Sequence, residues 1–202
     1  MKTRIDNRYK SVVEVRDQWL CHGCGMCQTA CKKSAIKIEY REKYRTYVPI
    51  IDESICNLCG VCLKACSGHS VDFKILSGEY LQWTATSLYT GNYRKCYLGW
   101  STDIDLRFRS SSGGIATALA QHVLGHTIVD RVLVVLPSSE QDPLDFRGFL
   151  ISTKEEAEKA MGSKYCPVTM CGSLREVHEG ERIAIIGLPC HIQSIRKAQK
   201  NL

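Results

Sequence analysis

Eight of the twelve cysteines in this 202-residue chain fall between positions 21 and 66, in two copies of a single spacing. Cys21-His-Gly-Cys24-Gly-Met-Cys27-Gln-Thr-Ala-Cys31 and Cys56-Asn-Leu-Cys59-Gly-Val-Cys62-Leu-Lys-Ala-Cys66 both read C-x2-C-x2-C-x3-C. Two-residue gaps let three successive thiolates wrap three corners of one cubane, while the fourth cysteine, expected to begin a helix, turns to the neighbouring cluster. Ligation is therefore expected to cross between the runs. Cys21, Cys24, Cys27 and Cys66 are read around one 4Fe-4S cluster, and Cys56, Cys59, Cys62 and Cys31 around a second. A structural zinc site also uses paired C-x2-C motifs, but it needs four thiolates rather than eight. Gly25 and Gly60 sit at equivalent places, where a missing side chain lets backbone amides approach the sulfurs. Lys32 and Ser67 stand where such runs usually have proline, so each adds a backbone donor near a cluster. With thiolates sufficient, His22 and His69 read as surface residues.

Such a cysteine density points to metal or redox chemistry in a reducing compartment rather than to a disulfide framework. The N-terminus is interrupted by Lys2, Arg4, Asp6, Arg8, Lys10, Glu14, Arg16 and Asp17, which leaves no apolar core for a secretory signal. The longest apolar run, Val132 to Leu136, is far short of the ~20 residues of a membrane span. A cytoplasmic location is the expectation. Apolar residues make up 44% and charged residues 24%, enough to bury a core. The net charge of +6 lies mostly in residues 1–75, with 13 Lys plus Arg against 8 Asp plus Glu. Two oxidised cubanes with their thiolates carry roughly two negative charges each and offset most of that excess, so nucleic acid is not an expected partner.

After each fourth cysteine a short stretch alternates apolar and polar residues, Ser34 to Tyr40 and Ser70 to Leu76, and both read as half-buried strands. Ser77-Gly78, Thr84 to Ser87 and Thr90-Gly91-Asn92 mark a connecting region, with the boundary near residue 78. Beyond it Ile115, Ala116, Leu119, Ala120, Val123 and Leu124 form a helical stripe ending at Gly125. Strand Arg131 to Leu136 follows, stopped by Pro137, and then strand Phe146 to Ile151. Thr153 with Glu156 makes a capping box for a helix closed by Gly162. Ile183 to Ile186 is a further strand, leading through Gly187-Leu-Pro-Cys190 into a helix from about Ile192. The expected architecture is an α+β ferredoxin-like dicluster domain over 1–77 followed by an α/β domain over 78–202.

Two loops of the second half suggest a phosphate-bearing cofactor. Arg107-Phe-Arg109-Ser110-Ser111-Ser112-Gly113-Gly114 opens a helix and gathers hydroxyls, amides and arginine charge. Gly162-Ser163-Lys164-Tyr165 offers amides, a hydroxyl and a cation. Ordinary helix capping accounts for the same residues, and spacing does not decide between the two.

The ordered set Cys96-Tyr97, Ser110 to Ile115, Gly162 to Tyr165 and Gly187 to Cys190, behind a two-cluster segment, resembles the coenzyme F420 hydrogenase/dehydrogenase beta subunit family. The resemblance implies a bound FAD held by Ser110, Ser111, Ser112, Gly113 and Gly114 together with Gly162, Ser163, Lys164 and Tyr165. It also implies a hydride-donor coenzyme such as F420, a redox partner protein or subunit, and a chain that holds only the N-terminal portion of the family's flavin domain. FAD links hydride chemistry to one-electron carriers, so no acid, base or nucleophile is expected to act on its own. The competing reading is a two-cluster carrier whose second half only docks. In the family, Cys190 is a candidate ligand of a third 4Fe-4S cluster, with Cys166 and Cys171 as contributors; otherwise it is a small buried residue. Cys96 reads as packing, and His122, His126, His178 and His191 as structural or exposed.

Overall fold

The computed structural model describes residues 10–82, 87, 89–139 and 145–201. Lys2, Arg4, Asp6 and Arg8, and residues 84–86 of the expected connecting stretch, lie outside them. The N-terminal half opens with helix α1 (Val12–Asp17), which the cysteine pattern does not announce. Ser11 and Glu14 form a capping box at its start, and Val12 and Val15 point into the interior. Arg16 Nη1 donates to the Pro49 carbonyl at 3.1 Å and fixes the helix to the hairpin of β1 (Ile36–Arg41) and β2 (Thr46–Ile51). The hairpin pairs antiparallel from Ile36 opposite Ile51 to Arg41 opposite Thr46. Pro49 is tolerated there because each strand of a two-stranded ribbon is an edge.

Short helices α2 (Met26–Ala30) and α3 (Val61–Ala65) follow the second cysteine of each run. The fourth cysteines therefore end helices rather than begin them. Cys31 and Cys66 are the C-terminal caps, in extended backbone, while Cys27 and Cys62 sit in the first turns. A second correction concerns Ser70 to Leu76, whose alternation suggested a strand. Residues Phe73–Tyr80 form helix α4, because the Asp72 carboxylate accepts from Lys74 N and Ile75 N, each at 3.0 Å. Residue 78 thus lies within a helix.

The second half contains α5 (Ile104–Arg109), a 3₁₀ turn (Ser112–Gly114), α6 (Ile115–Gly125), β3 (Arg131–Pro137), β4 (Phe146–Ile151), α7 (Lys154–Lys159), a 3₁₀ segment (Cys171–Glu176), β5 (Ile183–Ile185) and α8 (Pro189–Asn201). The capping box of Thr153 and Glu156 is present at α7. The last helix starts at Pro189 rather than near Ile192, since proline is well suited to a first turn. The strands form one mixed sheet, order β4-β3-β5, with β4 antiparallel and β5 parallel to β3. Cys96, read as a packing residue, lies exposed in an irregular segment.

Side-chain alternation along β3 assembles the interior. Val132 and Val134 face Ala120, Leu124 and Ala157 of α6 and α7. Leu133 faces the other way, into a core made with Met26 and Ala30 of α2, Ala65 of α3, Met170 and Cys171, and Ile195 and Ala198 of α8. Both halves of the sequence therefore share one hydrophobic cluster. No helix among the described residues is long and apolar enough to cross a membrane. Replacing the fully buried Leu133 by Ala is expected to destabilise the protein by about 2–5 kcal/mol, read as a lowered midpoint in denaturant unfolding of the anaerobically prepared chain.

Candidate functional site

The eight cysteines divide between two cavities in the crossed pattern of the sequence. Cys21, Cys24, Cys27 and Cys66 line a small cavity, walled by Val12, Val15, Ile38 and Pro49. Cys31, Cys56, Cys59 and Cys62 line another, beside Lys10, Ser11 and Val61. The crossing follows from the helices: α2 starts at one cavity and ends at the other, and α3 runs the reverse course. Gly25 and Gly60 cap these helices with φ of 85° and 73°, so their role is first a left-handed turn. At Gly25 a Cβ would also lie 2.6 Å from Thr169 Oγ1. No three His, Cys, Asp or Glu side chains among the described residues close on the position of a single ion. The thiols instead surround volumes.

The two cavities differ in burial. Cys27 is buried and its thiol is held well above the ordinary range, first by burial and then by the charges of Cys24, Cys66, Cys21 and Cys62. Burial raises Cys21 as well, and it pushes Cys66 to about 11 with help from Cys24. Four anions so placed repel one another without a compensating cation. An iron-sulfur core supplies that cation charge, and the soft donor set suits it. Cys24 is the exception, pulled down to about 6 by a hydrogen bond from Cys171, against the opposing effect of burial. Cys171 is held protonated in return. At the other cavity Cys59 is exposed. Backbone amides also reach the sulfurs, with Gly23 N donating to Cys21 Sγ at 3.4 Å.

Helix α8 packs from the C-terminal half against Cys24, Cys66 and Ser67 of the first cavity, which the sequence reading missed. Ser194 is fully buried, with Oγ 3.6 Å from Cys24 Sγ. Lys197 Nζ donates to the carbonyls of Cys66 and Ser70. The extra amide that Ser67 offers in place of proline goes to Ser194 Oγ at 3.2 Å, not to a sulfur. Cys190 opens α8 within electrostatic reach of Cys24 and Cys171. Cys166 is elsewhere, in an open cleft of about 990 Å³ between the hairpin and β4 that Tyr40, Tyr47 and Arg147 also line. Ile38 borders both this cleft and the first cavity. His22 is exposed and His69 half-buried, with the His69 backbone amide directed at Cys66.

The two loops expected to hold a cofactor meet. Ser163 N donates to Ser111 Oγ at 3.0 Å. Ser112, Gly113 and Gly114 take positive φ in succession, 50°, 76° and 78°, turning the chain into α6. Ser110 Oγ is buried without a hydrogen-bond partner. The nearby cations are engaged otherwise. Arg107 lies over the Trp100 ring at 4.7 Å and Arg109 pairs with Glu158 at 3.1 Å. Lys164 Nζ donates to the carbonyls of Ala160, Met161 and Gly162, closing the end of α7. Tyr165 is 97% exposed and Phe108 89%, leaving an aromatic rim to the site.

Residues 20–68 match the model of the 4Fe-4S dicluster domain, and residues 96–175 match that of the coenzyme F420 hydrogenase/dehydrogenase, beta subunit N-term. The chain is 31% identical over 115 residues to the coenzyme F420 hydrogenase subunit beta of Methanosarcina barkeri, covering 55% of this chain and 38% of that protein. Over 188 residues it is 27% identical to the coenzyme F420-dependent sulfite reductase of Methanocaldococcus jannaschii, covering 92% of this chain and 26% of that one. A chain in the solved F420-reducing nickel-iron hydrogenase complex of Methanosarcina barkeri superposes with a TM-score of 0.47 at 27% identity, over 54% of this chain and 40% of the other. The chain thus spans 26% to 38% of the length of the two curated relatives described.

Across the open cleft Tyr47 Oη and Ser138 Oγ both donate to Asp145, which holds its carboxyl below the ordinary range. A carboxyl depressed in the folded state stabilises fully above its unfolded value, near pH 4, and loses that contribution as pH falls through the folded value. Asp145→Asn is therefore expected to lower stability by about 1 kcal/mol at neutral pH, with the difference from wild type shrinking in urea melts below about pH 4.

Proposed function

We propose that the chain is a member of the coenzyme F420 hydrogenase/dehydrogenase beta subunit family, as the match of residues 96–175 and the 4Fe-4S dicluster match of residues 20–68 support, and that it is an oxidoreductase component passing electrons between a hydride donor and one-electron acceptors. The donor of this reading is reduced coenzyme F420 or a related coenzyme, and the acceptor a redox partner protein or subunit. The observation that carries it is the division of eight cysteines into two cavities, three from one run and the fourth from the other. Cys21, Cys24, Cys27 and Cys66 are the proposed ligands of one 4Fe-4S cluster, and Cys31, Cys56, Cys59 and Cys62 of the second. When bound, FAD takes the two electrons of a hydride together and the clusters carry them singly.

The residues of the chain have the remaining tasks. Val12 and Val15 keep water from the first cavity, and the amides of Gly23, Met26, Gly68 and His69 are directed at its sulfurs. The proposed FAD loops are Ser110 to Gly114 and Gly162 to Tyr165, supported by the Ser111 to Ser163 bond and the unpartnered Ser110 hydroxyl. With Arg109 and Lys164 engaged elsewhere, hydroxyls and helix amides rather than cations meet the diphosphate. Cys190 is the candidate ligand of a third cluster, beside Cys171 and apart from Cys166. The cluster-binding and flavin-binding parts are proposed as 1–77 and 78–202, two functional regions that meet within α4 and share one core.

Anaerobic purification with iron, sulfide, zinc and flavin analysis tests this reading. About eight irons with stoichiometric FAD, bleached on adding reduced coenzyme F420, is the expected result. About twelve irons adds the third cluster, and eight without flavin favours the two-cluster carrier. Zinc alone overturns the cluster reading. Crossed ligation makes a sharper prediction: Cys27→Ala and Cys66→Ala abolish the same electron paramagnetic resonance signal, and Cys31→Ala abolishes the other.

A further inference from the structure

Burial sets the two cavities against each other electrically. Reduction adds negative charge to a cluster, and a low-dielectric surrounding opposes that addition while hydrogen bonds to the sulfurs favour it. The cavity of Cys21, Cys24, Cys27 and Cys66 has the buried Cys27, whereas the other has the exposed Cys59. By burial alone the first cluster is the harder to reduce. What opposes this comes from α8, in the other half of the sequence. Cys190, Ser194 and Lys197 fall at i, i+4 and i+7, one face of that helix, and each contacts a residue lining the first cavity, Ser67, Cys24 and Cys66 respectively.

Ser194 is the member aimed at a sulfur. Its Oγ is 3.6 Å from Cys24 Sγ, accepts Ser67 N–H at 3.2 Å and donates to Ser67 Oγ at 2.9 Å. Ser67 Oγ in turn donates to the Cys190 carbonyl at 3.2 Å. A protonated Cys24 can donate to Ser194. A metal-bound Cys24 has no proton and can only accept. With its oxygen already served by the Ser67 amide, Ser194 can then turn its hydroxyl proton from Ser67 Oγ to the anionic sulfur, and Ser67 Oγ, which keeps its own bond to the Cys190 carbonyl, loses only an accepted bond. The wall hydroxyl of the second cavity differs in its acceptor, because Ser11 Oγ donates to the Glu14 carboxylate at 2.8 Å, a charged partner, rather than to a neutral hydroxyl.

We propose that Ser194 is a positioning residue whose buried hydroxyl donates to the Cys24 sulfur and raises the reduction potential of the cluster held by Cys21, Cys24, Cys27 and Cys66, offsetting its burial. The inference rests on the cluster reading above. The step concerned is a one-electron reduction in which no bond forms or breaks, and the electron comes from the flavin side or, in the assay, from dithionite. The second half of the chain thereby keeps the buried cluster within electrical reach of the exposed one.

The test is a dithionite titration of the full chain, followed by electron paramagnetic resonance, for wild type, Ser194→Ala and Ser194→Thr. In Ser194→Ala one of the two reduction waves is expected to become about tenfold less favourable, ~59 mV for a one-electron couple, with the other wave and the iron content unchanged. Ser194→Thr keeps the hydroxyl and is expected to restore the wild-type wave. Unchanged waves in Ser194→Ala with full iron content overturn the inference and leave the cluster reading standing. Iron loss in both variants also overturns it, by making Ser194 structural only. A wild-type protein without iron overturns the cluster reading itself.

Discussion

Four sulfur anions cannot be buried side by side unless cation charge is brought among them, and the architecture is organised around that requirement. The thiols of the first cavity raise one another, and burial raises them further. Everything that packs there is either apolar or a donor. Val12 and Val15 form one wall, amides point at the sulfurs, and α8 adds the Ser194 hydroxyl. The same helix supplies Ile195 and Ala198 to the core shared with α2, α3 and β3. Cluster-binding and sheet-forming segments are therefore not separate cores joined by a linker but parts of one packed interior.

Features fixed by local chemistry were legible in the sequence. The cysteine spacing indicated two groups of four, and the grouping in space follows it. The capping box at Thr153 and the apolar runs of β3 and β4 appear where the residues indicate. Failures came where two local signals competed or where the partner was distant in sequence. In Ser70 to Leu76 the alternation had no strand to pair with among the described residues, and the Asp72 cap decided for helix. Arg109 looked free in sequence, but Glu158, 49 residues away, takes it. Ser194 had no local sign beyond a polar residue on an apolar helix face, because its partners, Cys24 and Ser67, are 170 and 127 residues distant.

The two loops proposed for FAD show a related effect. Basic residues near a glycine-rich turn suggest a phosphate cradle, yet here α5 carries Arg107 onto Trp100 and Arg109 onto Glu158. Lys164 satisfies three carbonyls at the end of α7. What the two loops share is a backbone-to-hydroxyl bond, Ser163 to Ser111, next to a buried hydroxyl with no partner. A diphosphate there would meet neutral donors, whose geometry selects shape more than charge.

Helix α2 has a cysteine at each end, Cys27 facing one cavity and Cys31 the other. Four residues of α-helix rise about 6 Å, so the helix acts as a gauge that fixes how far apart the two centres stand. Helix α3 repeats the measurement in the opposite sense, from Cys62 to Cys66. Two gauges run head to tail leave little freedom for the spacing to drift. One residue added to either would rotate its terminal sulfur by about 100° and withdraw it from the cavity it serves. The interval between the two cavities is thus written in residue count rather than in the side chains between the cysteines.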